Sequence, residues 1–134
     1  MIFLDANLLV YLNAGVREAA AFYESLVANY ALCTDVLVLD EAIYVSWRRY
    51  GIPFGDTAAF LDDAVLPYVW VLKLGREEYL RARELLGVLK PSDALHVAAM
   101  VNNGVRVIAS EDRDFDRVGG IERIWISDAK LARS

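Results

Sequence analysis

Hydrophobic positions recur along the chain with two different periods, and the two alternate. Ile2-Phe3-Leu4 is a short apolar run that stops at an acid, as a buried parallel strand does when it delivers a carboxylate, here Asp5, at its C-terminal edge. Ala19, Phe22, Tyr23, Leu26, Val27 and Tyr30 then follow the spacing of one helical face and predict an amphipathic helix. Ala31 to Thr34 predicts a second strand. Thr34 or Asp35 is placed to cap a strongly apolar helix that reaches about Tyr50, with Gly51 as its stop and Ile52-Pro53 as a break. Asp56 is expected to cap a further helix that Pro67 ends, and Tyr68 to Leu72 reads as a third strand. Arg76 to Leu86 reads as a helix closed by Gly87. Pro91 suits the first turn of the next helix, which runs through Asp93, His96, Val97 and Met100 to about Asn103 before Gly104. Val105 to Ala109 predicts a fourth strand, followed by the acidic loop from Ser110 to Phe115, a Gly119-Gly120 turn and an edge-like strand from Arg123 to Ile126.

Strands that alternate with helices predict a three-layer α/β/α fold around a central, mostly parallel sheet of about five strands. The 134 residues suit a single domain over 1–134, with no internal repeat, linker or low-complexity tract. An apolar share of 57% is high for a soluble domain and points to an oligomer or a tight partner. No apolar run approaches the roughly 18 residues of a membrane span. The stretch Met1 to Asp5 leaves no room for a basic segment followed by a cleavable apolar one, so a soluble, cytoplasmic protein is expected. The single Cys33 has no partner for an internal disulfide.

Charge changes the picture. The chain carries 19 acids against 14 bases, which argues at first sight against a nucleic-acid partner. Four of those acids stand in unusual places: Asp5 after a buried strand, Glu41 inside the most apolar helix, Asp93 in a first helical turn and Asp112 after the last core strand. Without them the balance is nearly neutral, 15 against 14. Hard divalent cations are held by a few carboxylates, with waters and substrate phosphates completing the shell, and a loaded cluster attracts phosphate.

Each acid also has a plainer explanation taken alone: a helix cap for Asp5, a solvent face for Glu41, dipole compensation for Asp93, a solvated loop for Asp112, Asp114 and Asp116. The combination carries the argument, because acids placed together repel unless metal or protons neutralise them. His96 is the only histidine and lies three residues after Asp93; a packed or supporting role is the plainer reading, ligation the sharper one. Ser92, Asp93 and His96 do not form a hydrolase triad, since adjacent Ser92 and Asp93 diverge around a helix. No phosphate-binding glycine loop and no zinc-type cysteine pair is present.

The ordered set Phe3-Leu4-Asp5-Ala6-Asn7, Glu41, Ser92-Asp93-Ala94-Leu95-His96 and Ala109-Ser110-Glu111-Asp112-Arg113-Asp114-Phe115 resembles the PIN-domain nucleases, most of all the toxin subunits of VapBC toxin–antitoxin pairs. The resemblance implies that Asp5, Glu41, Asp93 and Asp112 are the catalytic, metal-holding acids, with Asn7 and Ser110 as supporting residues. Asp114 falls where the family often carries a second acid or a histidine, and either assists a metal or orders the loop. It also implies a Mg²⁺-dependent endoribonuclease, with Mn²⁺ able to substitute, that leaves a 3′-hydroxyl and a 5′-phosphate. A homodimer and an antitoxin that inserts a segment near the site are implied as partners beside the RNA substrate. The chemistry this supports is metal-assisted attack by water, with no side-chain nucleophile. Arg48, Arg49, Lys90, Arg106, Arg113 and Arg117 are candidates for phosphate contacts.

Other readings fare worse. A phosphoacceptor receiver domain needs an Asp at the end of a central strand, where Val69 to Leu72 is followed by Lys73-Leu74. A haloacid-dehalogenase-like phosphatase needs a second acid where Asn7 stands. A non-catalytic PIN-like module that binds RNA or protein is the stronger rival, and a housekeeping RNA-processing nuclease is the alternative to a toxin.

Overall fold

The computed structural model describes residues 1–127; residues 128–134, which the single-domain expectation includes, lie outside the described residues. Five strands form one sheet: β1 (Ile2–Leu4), β2 (Leu32–Asp35), β3 (Val69–Leu72), β4 (Val107–Ala109) and β5 (Glu122–Ile124). Their order is β3-β2-β1-β4-β5, and every pairing is parallel. β1 lies in the centre, and its three residues are buried, which is why an unbroken apolar run rather than an alternating one encodes it.

Six α-helices connect the strands: α1 (Ala6–Asn13), α2 (Arg17–Asn29), α3 (Val36–Tyr50), α4 (Phe54–Phe60), α5 (Arg76–Ala82) and α6 (Pro91–Asn102). The chain steps from β1 to β2 to β3 in one direction and then crosses back over β1 to reach β4. Right-handed crossovers therefore place α1 to α4 on one face and α5 with α6 on the other, the three layers expected. The two groups pack accordingly, α1 against α2 and α3 on one side and α5 against α6 on the other. The direction reverses between β1 and β4, and the crevice outside the carboxyl ends of strands at such a point is where α/β sheets bind ligands.

Several boundaries differ from the sequence reading for physical reasons. Helix α1 carries three consecutive buried residues, Leu8, Leu9 and Val10, so it has no amphipathic period to read. α4 begins directly after Pro53, and Asp56 lies in its first turn instead of capping it. Beyond Phe60 the backbone widens into a π turn over Leu61–Val65 before Pro67 stops it. α5 tightens into a 3₁₀ turn at Arg83–Leu85, ahead of Gly87. β4 starts at Val107, and β5 ends at Ile124, short of the Ile126 expected. α3 ends where Gly51 takes the left-handed conformation, φ +68°, as the sequence predicts.

Candidate metal centre

Asp5 follows β1 directly, and its backbone N–H donates to the Ala109 carbonyl at 3.1 Å, continuing the β1–β4 ladder. That pairing places Ser110, the residue after β4, beside Asp5. The Ser110 hydroxyl donates to Asp5 Oδ2 at 2.6 Å, while Asp5 Oδ1 accepts from the Ala6 N–H at 2.8 Å. Ser110 Oγ in turn accepts from the Asp112 N–H at 3.0 Å, and Asp112 Oδ1 accepts from the Asp114 N–H at 2.9 Å, starting the 3₁₀ turn Arg113–Arg117. One fully buried hydroxyl thus joins Asp5 to the Asp112 loop. Asn7 Oδ1 accepts from the Glu111 N–H at 3.3 Å and holds the other side of the same loop.

Glu41 reaches the crevice from the second turn of α3, and Asp93 from the first turn of α6. Asp5, Glu41, Asp93 and Asp112 all line one cavity of about 220 Å³, with Asn7, Ser92, Arg49 and Lys90 around it. Oxygens of Asp93, Asp112 and Asp114 approach one another within 4.8 Å. The sequence reading of the four acids as one group thus corresponds to one cavity, and Asp114 sits at its Asp112 side.

Crowding shows in the acidities. Burial, then the charges of Asp5 and Asp112, pushes the Asp93 carboxyl up to about 6. Burial, followed by Asp5, raises Glu41 as well. Acids raised by their neighbours are relieved by a cation, and an all-oxygen donor set of this kind suits hard divalent ions. The residues present therefore fit a divalent metal.

Asp35 ends β2 and has two tasks. Its Oδ1 caps α3 by accepting from the Val38 N–H at 2.9 Å, and its Oδ2 lies 2.7 Å from His96 Nδ1. Both side chains are fully buried. A nitrogen of His96 and oxygens of Asp5 and Glu41 lie within 4.8 Å of one another. Desolvation lowers the His96 pKa, but the Asp35 hydrogen bond and the charges of Asp35, Asp5 and Glu41 outweigh it, and the net direction is up. The sequence shows Asp35 only as a cap; its partner is 61 residues away, and no local spacing announces it.

The candidate phosphate contacts separate by position. Arg49 and Lys90 line the cavity. Arg49 also rests over the Tyr11 ring, whose hydroxyl donates to Glu111 Oε2 at 2.7 Å. Arg106 precedes β4 and so lies at the opposite edge of the sheet, away from the acids. Arg117 lies 3.7 Å from Asp114, and Arg48 and Arg113 are exposed outside the cavity lining. Arg123, which the sequence reading passed over, clamps the loop from β5 by donating to the Ser110 carbonyl at 3.1 Å and to Asp116.

Known proteins resemble this chain in sequence and fold. Ribonuclease VapC13 of Mycobacterium tuberculosis is 32% identical, the alignment covering 92% of this chain and 99% of the relative. The crystal structure of M. tuberculosis VapC20, a Sarcin-Ricin loop cleaving toxin, superposes with a TM-score of 0.73 at 22% identity, over 91% of this chain and 98% of that one. VapBC2 from Rickettsia felis, solved bound to a DNA fragment from its promoter, gives a TM-score of 0.72 at 16% identity, over 93% and 98%. The family match, described as PIN domain, spans residues 2–121 and so takes in β1, the three acids that follow it and the β4 loop alike. On that span, the chain belongs to the PIN domain family.

Proposed function

We propose that this protein is a divalent-metal-dependent endoribonuclease hydrolysing RNA phosphodiester bonds, and the toxin of a toxin–antitoxin pair. The observation that carries the reading is the single cavity in which Asp5, Glu41, Asp93 and Asp112 meet, with Arg49 and Lys90 beside them. The four acids hold the metal, with Asp114 as a further ligand; Mg²⁺ is the assigned ion and Mn²⁺ its substitute. A divalent ion there supplies a water of lowered pKa and charge stabilisation at the leaving oxygen. The chain's own groups do the rest. Arg49 and Lys90 hold the backbone phosphate over the acids, a contact that positions RNA without reading its sequence. Ser110 fixes the rotamer of Asp5 and the approach of Asp112 through its two hydrogen bonds. Asn7 and Arg123 hold the loop on its two flanks. No side-chain nucleophile is required, and Cys33 is buried in β2. The products are a 3′-hydroxyl and a 5′-phosphate.

The relatives support the rest of the reading. A 32% identical relative is named a ribonuclease, and the Rickettsia structure is of VapBC2, whose pairing the sequence motifs resemble. An antitoxin that covers the site and a homodimer of this chain, residues 1–134 forming one nuclease domain, complete the assignment. No helix among the described residues is long and apolar enough to cross a membrane, and the cytoplasm is the proposed location.

Purified protein is expected to cleave RNA with Mg²⁺ or Mn²⁺ and to stop when a chelator is added. Asp5→Asn is expected to abolish cleavage while the far-ultraviolet spectrum and the melt persist. Cleavage that survives the chelator, or an undiminished Asp5→Asn variant, overturns the site. The toxin assignment is read separately, by growth arrest on expression that a small protein encoded beside it relieves.

A further inference from the structure

The mechanism leaves one buried nitrogen unused. Nε2 of His96 is the one buried side-chain nitrogen or oxygen without a hydrogen-bond partner among the described residues. Its ring is fully buried, stacked obliquely on Phe3 with centroids 5.6 Å apart, and Nδ1 is committed to Asp35 at 2.7 Å. Leaving a buried polar atom unpaired is costly, and such atoms in a native fold call for a reason. Its neighbours supply one: a His96 ring nitrogen lies within 4.8 Å of oxygens of both Asp5 and Glu41, and of the two nitrogens Nε2 is the one without a partner.

We infer that His96 Nε2, Asp5 and Glu41 form an inner metal position of mixed nitrogen and oxygen donors, distinct from the all-oxygen position of Asp93, Asp112 and Asp114. The inference rests on the proposed nuclease site and assigns it a sixth protein ligand, the first that is not a carboxylate. The three donor atoms already lie within 4.8 Å of one another, close enough for a single ion to draw them together. Asp35 makes the nitrogen available. A metal-bound imidazole commonly donates its other N–H to a carboxylate, which fixes the tautomer and leaves a lone pair toward the ion. Asp35 does this from inside the core, and its hold on the Val38 N–H keeps it from rotating away. An imidazole donor shifts preference from Mg²⁺ toward transition ions. The inner position therefore favours Mn²⁺ or Fe²⁺, while the outer, all-oxygen position suits Mg²⁺.

His96 is the only histidine of the chain, so untagged protein carrying ring-¹⁵N-histidine reports on it without a substitution. With two equivalents of Mn²⁺, pulsed electron paramagnetic resonance is expected to show a nitrogen coupling that changes between ¹⁴N and ¹⁵N protein. Asp35→Asn keeps an oxygen for the α3 cap but offers an N–H to Nδ1, which forces the proton onto Nε2. That variant is expected to lose the histidine coupling and about tenfold in Mn²⁺ affinity, with its melt retained. Bound Mn²⁺ and Mn²⁺-dependent cleavage without any histidine coupling in the parent protein overturn the inner position and leave the nuclease site standing. Coupling that persists in Asp35→Asn overturns the role of Asp35. No Mn²⁺ binding and no cleavage in the parent protein remove both readings together.

Discussion

Asp93 is only 9% exposed, and burial together with Asp5 and Asp112 lifts its pKa from 3.8 to about 6. A carboxyl raised on folding opposes the fold when it ionises. Its contribution is neutral below the unfolded value, the loss sets in as pH rises through that value and is complete above the folded one, so metal-free protein loses stability between about pH 4 and 6. At 1.36 kcal/mol per pH unit the loss approaches roughly 3 kcal/mol, less the dipole benefit of its place in the first turn of α6. Metal-free Asp93→Asn is accordingly expected to be more stable than the parent at pH 7.5 by roughly 1–3 kcal/mol in urea melts, with no gain at pH 3.5, and inactive on RNA. Equal stability at pH 7.5 counts against the account. The same carboxyl that opposes the metal-free fold is one whose charge a bound cation would relieve.

Elements were legible where a residue's task was local. β1 could be read from its unbroken apolar run, and α3 from an apolar helix bounded by Asp35 and Gly51, because caps and stops act within a few residues. The αL residue Gly51 has open space around an added Cβ, so Gly51→Ala tests conformation alone. It is expected to cost about 1 kcal/mol, visible as a lower urea midpoint; an unchanged midpoint places the end of α3 elsewhere. α1 was not legible, since burial on several sides erases the helical period. Of the site, the acids stood out because each lies inside an apolar element or close to the end of one. Their assembly into one cavity follows from strand order, which no window of sequence contains. The Asp35–His96 pair and the Arg123 clamp were illegible for the same reason: residues 35 and 96 meet only through β2 and α6, and residues 110 and 123 only through β4 and β5.

Across the whole molecule, the excess of acids has a location. With 19 acids against 14 bases, four or five of the carboxylates gather at one end of the sheet, where they destabilise one another. Ion binding then acts on global stability, since it is linked to folding. Mn²⁺ at about 100 times its Kd is expected to raise the Tm by about 10 °C at pH 7.5. The rise should be clearly smaller at pH 5, where Asp93 holds its proton, and sodium chloride of equal ionic strength should not reproduce it; equal shifts at both pH values refute the linkage. The hydrogen bond from Ser110 to Asp5 joins residues 105 apart. A ribosome making this protein has made the first carboxylate of the cluster long before it makes the loop that completes the set. β1 has no β4 to pair with until that late stretch emerges, so a nascent chain carries no finished nuclease beside the RNA of the machine that is building it.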